Sequence, residues 1–498
     1  MEKKNVLFIM CDQFRYDCIS ALGNSVIRTP NIDRLVENGV SFQNAYSTCP
    51  VCVPARYTIM TGREPNITGC YCNETPAPLD RQADNMEERC GPYLARYMSG
   101  RGYRTFGIGK FHTIPDCYED LGFETHMHTE ELWETAEIKE RDAYASFIRK
   151  QFPEYGHLDQ LHGERSNMYY VPQLSAFSAE NTVEGFVARL TIEEMNKMDP
   201  RPFFGFVSFI GPHPPCAPPV PYNLMYDPDV MSNPVHGDPA TDTMDEQIDF
   251  MNYTIWADEI NDAAARNIKS RYYGEISYID ACVGKILDNL EESGKRDNTV
   301  ICFFADHGDH MGDHGAWQKE TFFEASARVP FILCDPAASS RNTVTNDLVC
   351  LTDLFAIAST VAGFPEDRDG SNWIAGERRH QVYGIYGRPG TRFFKIMIRS
   401  EKYKYIYMSN GGREQLFELD RDRNESFNLV EQLPVVTNQF QKEAFAYCQR
   451  DGLFAACAET RLKVFPFSSR PRKRIHQFEF SRGIDDFVVS SKNYFSSM

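Results

Sequence analysis

The sequence predicts an α/β fold: a large, mostly parallel (mixed) sheet flanked by helices, with a smaller C-terminal antiparallel-sheet subdomain. Two observations lead there. Short apolar runs closed by polar or glycine-rich residues recur at wide intervals: NVLFIMCDQ from Asn5, YRTFGIGKFH from Tyr103, PFFGFVSFIGPHPP from Pro202, NTVICFFADHGDH from Asn298 and VPFILCDP from Val329. Runs that stay apolar on successive residues suit strands covered on both faces, and the chain between them is long enough for crossover helices. After about residue 375 the texture changes to alternating, aromatic-rich segments, HQVYGIYG, RFFKIMIRSEKYKYIYMS and EQLFELDRD, separated by turn formers such as NGG, as expected of an antiparallel sheet. We therefore expect a catalytic-sized α/β domain over 1–375 and an α+β subdomain over 376–498.

The elements follow in chain order. Val6 to Cys11 is an apolar run too short for a signal peptide's hydrophobic region and is ended by Asp12, so it reads as a buried first strand. The clearest helix spans about Asp258 to Ser293, with Ile260, Ala264, Ile268, Tyr272, Ile276, Ile279 and Val283 at helical spacing and Gly294 as its stop. The stretch from about Thr113 to Asn181 is a long insert. The basic SSRPRKRIHQ from Ser468 reads as a solvated loop.

Composition narrows the function. The chain has 498 residues, 42% of them hydrophobic, enough for a large core. With 52 basic and 70 acidic residues the net charge is −18, which argues against a nucleic-acid partner and against an anionic membrane surface. No run approaches the length of a membrane helix. The 15 cysteines are odd in number and scattered through apolar segments, the pattern of reduced thiols in a cytoplasmic protein.

In an open α/β sheet, chemistry gathers at the carboxyl ends of the strands. The polar residues there are Asp12 and Gln13, Lys110 and His112, His213, and Asp306 and His307. A strand-end Asp can simply cap a helix, and a lone His is more often a packing residue. Four strand ends that all offer ligand or proton-transfer groups favour one shared site.

Between the first two of these ends lies STCPVCVPARYTIMTGR, Ser47 to Arg63, with Cys49 and Cys52 spaced C-x-x-C. A structural zinc site would need a second pair, and Cys70-x-Cys72 is one residue short. A thioredoxin-like pair would open a helix in a small βαβ unit, which this chain is not.

Cys52-Val53-Pro54-Ala55-Arg56, followed by Thr61-Gly62-Arg63, resembles the C-x-P-x-R signature of the type I (formylglycine-dependent) sulfatases of the alkaline-phosphatase-like superfamily. NVLFIMCDQFRYD, TPNIDRLVENGVSFQNAYST, GIGKFH, GPHPP, FFADHGDHMGDHG and KETFFEASARVPFI resemble further family elements in the expected order, and KYKYIY…LFELDRDRNESFNL resembles its C-terminal subdomain. The resemblance implies a hydrolase that cleaves sulfate monoesters, aryl or carbohydrate, to alcohol and inorganic sulfate. It implies that Cys52 is oxidised by a formylglycine-generating (sulfatase-maturating) enzyme to 3-oxoalanine, whose hydrate has one hydroxyl to attack sulfur and another to expel sulfate.

A hard divalent ion suits oxygen ligands from Asp12, Asp306 and Gln13. The resemblance adds His307 and the modified Cys52. Calcium is the family's usual metal, and a His ligand leaves room for magnesium, manganese or zinc. By the same resemblance Arg56 holds the modified residue, Lys110 and Lys319 contact the sulfate, His112 assists release and His213 protonates the leaving alcohol. Asn73, in CYCNETP, is a further substrate contact by position. The partners expected are a small-molecule or saccharide sulfate ester and the maturating enzyme, and a homo-oligomer is compatible with the sequence.

The pairs Asp12-Gln13 and Asp306-His307 depart from many sulfatases and match the phosphonate monoester hydrolases of the same superfamily. A phosphonate monoester hydrolase or phosphodiesterase is therefore the alternative. The Lys and His of GKFH favour the sulfatase. A catalytically silent binding relative would need a broken signature or ligand, and none is broken.

Overall fold

The structure is a computed structural model that describes residues 3–73, 85–130, 140–154, 168–338, 341–366 and 368–474. Among these residues, eight strands form one sheet: β1 (Asn5–Cys11), β2 (Val40–Tyr46), β3 (Arg104–Gly109), β4 (Thr125–His128), β5 (Phe203–Phe209), β6 (Thr299–Ala305), β7 (Phe331–Cys334) and β8 (Thr343–Cys350). Their spatial order is β4-β3-β5-β1-β6-β7-β2-β8. All neighbours are parallel except β7, which runs antiparallel to both β6 and β2. The sheet is thus large and mostly parallel, as expected, with VPFILCDP as the reversed strand.

The middle of the sheet is its driest part: every residue of β1, β5 and β6 is buried. One group of helices, Pro30–Asn38, Val183–Met195 and Asp262–Glu292, packs together and onto the sheet, and a second, Cys52–Thr61, Leu94–Ser99 and Asp353–Val361, does likewise. Covering both faces is what lets these strands be apolar throughout.

The longest helix begins at Asp262 rather than near Asp258, because the Asn261 side chain accepts from Ala264 N and so caps it there; Ile260 lies outside. Tyr272 on this helix donates to Gln13 O at 2.7 Å and accepts from Arg15 N at 2.9 Å. The helix thereby fixes the chain as it leaves β1.

The second sheet has four antiparallel strands, β9 (Gln381–Tyr386), β10 (Lys395–Ser400), β11 (Tyr403–Met408) and β12 (Arg413–Glu418), in the order β12-β11-β10-β9. Phe440, Ala444 and Tyr447 of helix Pro434–Arg450 belong to its apolar core. It is joined to the first sheet by buried charge: Lys404 Nζ pairs with Glu324 at 2.8 Å and Glu425 at 2.6 Å. The backbone of Ile385 also donates to Thr48 O at 2.7 Å, so β9 supports the stretch leading to Cys52.

The described part of the basic segment, 468–474, is the largely exposed loop expected, with Arg470 as its one buried residue. Arg472 pairs with Asp249 at 2.5 Å and Arg474 with Asp258 at 2.8 Å, while Arg470 is buried against the Phe250 ring. Acidic residues around helix Glu246–Thr254 supply the countercharge. Residues 475–498 lie outside the described residues. All 15 cysteines are free. Among the described residues no helix is long and apolar enough to cross a membrane.

Candidate active site

Strand register assembles the site. Cys11 pairs with Phe209 on one side and with Ala305 on the other, so the residues that follow, Asp12 and Asp306, leave the sheet side by side. Gly109 pairs with Ser208 at the end of β3. Its φ is +107°, and a Cβ there would lie 1.9 Å from Ser208 O, so only glycine lets the chain turn and deliver Lys110.

Cys52 opens the helix Cys52–Thr61. Pro54 falls in the first turn, where its missing N–H costs nothing. Asn73 closes the helix start from another loop, its Oδ1 accepting from Val53 N at 3.0 Å. Asn73 therefore holds the helix that bears Cys52.

Arg56 follows Cys52 by one helical turn and shares its face. It is buried and bridges both carboxylates: Nε donates to Asp306 Oδ2 at 3.0 Å and Nη2 to Asp12 Oδ2 at 2.9 Å. Lys110 Nζ also donates to Asp12 Oδ2, at 2.5 Å. With the Oδ2 atoms engaged, the Oδ1 atoms are presented to His307, whose Nε2 lies 3.6 Å from Asp12 Oδ1, 3.7 Å from Asp306 Oδ1 and 3.2 Å from Cys52 Sγ. His307 Nδ1 lies 3.0 Å from Gly308 O, which assigns the N–H to Nδ1 and turns the Nε2 lone pair inward.

Burial works to raise the Asp12 carboxyl, but Lys110 and Arg56 overcome it and hold the group well below the usual carboxylate range. Burial lowers His307, keeping the ring neutral. Burial and the neighbouring Asp12 push the Cys52 thiol up, so these surroundings disfavour a reactive thiolate at position 52.

Gln13 has a left-handed backbone, φ 65°, and both ends of its amide are engaged: Nε2 donates to Asp309 Oδ2 and Oε1 accepts from Lys319 Nζ at 2.5 Å. His213 Nδ1 contacts Pro214 O at 2.7 Å and its Nε2 lies 3.4 Å from Tyr169 OH. Asp12, Gln13, Cys52, Arg56, Lys110, Asp306, His307 and Lys319 are thus linked by direct contacts. His112, two residues beyond Lys110, has φ 50°. Its ring is pushed down to about 3 by burial, with Lys110 adding to the shift.

Four supporting residues carried no signal in the sequence. Glu130, buried just beyond β4, accepts from Phe111 N at 3.1 Å, from His112 N at 2.6 Å and contacts His128 Nε2 at 2.6 Å. Burial would raise this carboxyl, but the His128 hydrogen bond and charge bring it to about 2. Asp309 orients Gln13, Tyr170 OH donates to Asp309 Oδ2 at 2.9 Å, and Tyr169 meets His213. Glu130, Tyr169 and Tyr170 all lie in the long insert from about Thr113 to Asn181.

Because Glu130 holds the strained backbone of His112, Glu130→Ala is expected to lower kcat by about 10-fold or more and Glu130→Gln by less, since one acceptor remains. Each unmade buried hydrogen bond costs ~1–3 kcal/mol. Steady-state kinetics on both variants checks this; equal loss in the two would point to charge rather than backbone anchoring.

One ligand atom from each of Asp12, Cys52, Asp306 and His307 lies within 4.8 Å of the others, and all four residues are buried. Two carboxylate oxygens and an imidazole nitrogen aimed inward form a donor set that fits a divalent cation.

The sulfatase family model matches residues 4–364. The chain is 30% identical over 457 residues to an arylsulfatase of Clostridium perfringens, covering 86% of this chain and 90% of that one. It is 28% identical to a choline-sulfatase of Rhizobium meliloti, over 86% of this chain and 83% of that one. Among solved structures, a phosphonate monoester hydrolase of Agrobacterium radiobacter superposes with a TM-score of 0.77 at 24% identity, covering 90% of this chain and 96% of that one, a likeness of fold. Family match and fold agree with the assembled site: the chain belongs to the sulfatase family.

Proposed function

We propose that this protein hydrolyses sulfate monoesters, aryl or carbohydrate, to the alcohol and inorganic sulfate, with residue 52 converted from cysteine to formylglycine. The observation that carries the reading is the setting of Cys52: buried at a helix start, in contact with His307, with Arg56 one turn on and Lys110 beside the shared Asp12. A divalent cation, for which we favour calcium, would be held by Asp12, Asp306, His307 and residue 52, with Gln13 adjoining, and would supply positive charge where the sulfuryl oxygens gather. The hydrated aldehyde would supply a hydroxyl nucleophile and a second hydroxyl for release of sulfate.

The chain's own groups do the rest. Arg56 fixes both carboxylates and the face of the helix that bears residue 52. Lys110 and Lys319 bring buried ammonium groups to the site, where charge on sulfuryl oxygens would be met at reduced dielectric. By its place in GKFH, His112 would exchange the hydroxyl proton at residue 52. His213 has Nδ1 against Pro214 O, so in the imidazolium form Nε2 is the atom that would hand a proton to the departing alcohol. Asn73 keeps the helix start in register. The fully free cysteines favour the cytoplasm, with a maturating enzyme as partner.

The second reading, a phosphonate monoester hydrolase or phosphodiesterase, is favoured by the Asp12-Gln13 and Asp306-His307 pairs. The test rests on Lys110. A sulfate monoester presents three non-bridging oxygens, whereas a diester or phosphonate ester fills part of that space with an organic group. For protein fully converted at Cys52, kcat/KM for an aryl sulfate is expected to exceed that for the matching phenyl phosphonate ester by at least ~10-fold, about 1.4 kcal/mol. Lys110→Ala should lower sulfate turnover by roughly 100-fold or more and narrow the preference. Equal or better turnover of the phosphonate ester by the unmutated protein would transfer the assignment to the second reading.

A further inference from the structure

Lys319 stands between two residues in left-handed backbone, Gln318 at φ 70° and Glu320 at φ 76°, and neither is glycine. Such a conformation persists only where the surroundings over-determine it. Glu320 supplies the means. Its carboxylate is buried, and Oε2 accepts from Tyr386 OH at 2.8 Å and from Gln247 Nε2. Its backbone N–H donates to Pro50 O at 3.1 Å, two residues before Cys52. One residue thus ties the Lys319 loop to the Cys52 loop.

The chain of contacts continues outward. Gln247 Oε1 accepts from Arg470 Nη1, and the Arg470 guanidinium lies 3.7 Å from the Phe250 ring centre and 5.0 Å from that of Phe393. Arg470 is carried by a segment clipped to the second sheet, where Ser468 N donates to Asn410 Oδ1 at 3.0 Å and Asn410 Nδ2 to Ser468 O at 2.9 Å. A buried amide pinned at both ends has only one orientation that satisfies both partners: were Arg470 absent, Gln247 could turn and release Glu320.

We propose that Glu320 is a positioning residue for Lys319, and that the C-terminal segment sets its geometry through Arg470 and Gln247. The segment is then part of the support of the active site. The inference rests on the sulfatase reading for its substrate and on hydrogen bonds alone for its wiring.

The experiment is a double-mutant cycle of Arg470→Ala and Lys319→Ala, read as kcat and KM for 4-nitrophenyl sulfate and as affinity for inorganic sulfate by calorimetry, with melting temperatures recorded alongside. Arg470→Ala alone is expected to lower kcat by ~5-fold or more and weaken sulfate binding, with Arg470→Lys recovering part of the loss. In the Lys319→Ala background the same change should add less than ~2-fold, because the group it positions is gone. Loss factors that multiply fully would overturn the proposal, as would an unaltered kcat and sulfate affinity in Arg470→Ala. If Arg470→Ala fails to fold, Gln247→Leu enters the cycle in its place with the same two outcomes. Should the unmutated protein prove inactive on aryl sulfates, the functional reading falls, while the cycle on sulfate affinity still decides the wiring.

Discussion

Cys52→Ala, made in protein produced beside a maturating enzyme, is expected to lower 4-nitrophenyl sulfate hydrolysis by at least ~10⁴-fold, a loss typical of removing a nucleophile that acts with its neighbours as a unit. The residual protein should still bind inorganic sulfate, since Lys110 keeps Asp12 and Lys319 keeps Gln13 as partners. The control is Cys49→Ala. Cys49 is equally buried, but its thiol reaches Tyr71 O at 3.5 Å and stands outside the four-residue cluster. Its loss should cost stability, ~1 kcal/mol for the small cavity left, with turnover within ~2-fold of the parent. Peptide mass spectrometry should find the thiol-to-aldehyde change at Cys52 and not at Cys49. Modification at Cys49, or a Cys52→Ala protein with substantial turnover, would overturn the assignment.

Asp306→Asn should remove both the bound cation and at least ~10³-fold of the activity, taking anionic ligation and the charge it supports together. The choice of asparagine follows from the hydrogen bonds. Asp306 Oδ1 accepts from Gln13 N at 3.1 Å and His307 N at 3.0 Å, and Oδ2 accepts from Arg56 Nε at 3.0 Å. Alanine would orphan three buried donors and leave Arg56 short of a partner, a change worth ~3–5 kcal/mol on its own, so lost activity could be read as damage to the fold. Asparagine keeps an acceptor for the two backbone N–H groups. Metal analysis of the purified variant is the measurement, with circular dichroism as the control on folding. A variant that retains both full metal occupancy and full activity would show that the Asp306 charge is not needed to hold the cation.

These expectations draw unequally on sequence and on structure. β1 and β6 were legible because each is apolar on every residue after its first and ends abruptly in a charge, so Asp12 and the Asp306-His307 pair could be placed at strand ends without coordinates. The relation of Cys52 to Arg56 is equally local, a single helical turn. β2 and β4 were not legible: QN interrupts VSFQNAY, and THMH is short and only partly buried. β8 alternates exposed and intermediate positions before its buried end. None presents the continuous apolar run that marked the others; β4 and β8 are the two edge strands of the sheet, where such a run is needed least.

Which residues meet at the site was readable from the sequence, because the signature and the strand ends are each written within a few residues. The tertiary structure alone decided what holds them: Glu130 under His112, Asp309 and Tyr170 behind Gln13, and the path from Arg470 through Gln247 to Glu320 beside Lys319. Those partners lie tens to hundreds of residues apart in the chain. Their meeting depends on strand order and register, which the local alternation of apolar and polar residues does not encode, since the same pattern satisfies burial whichever strands become neighbours.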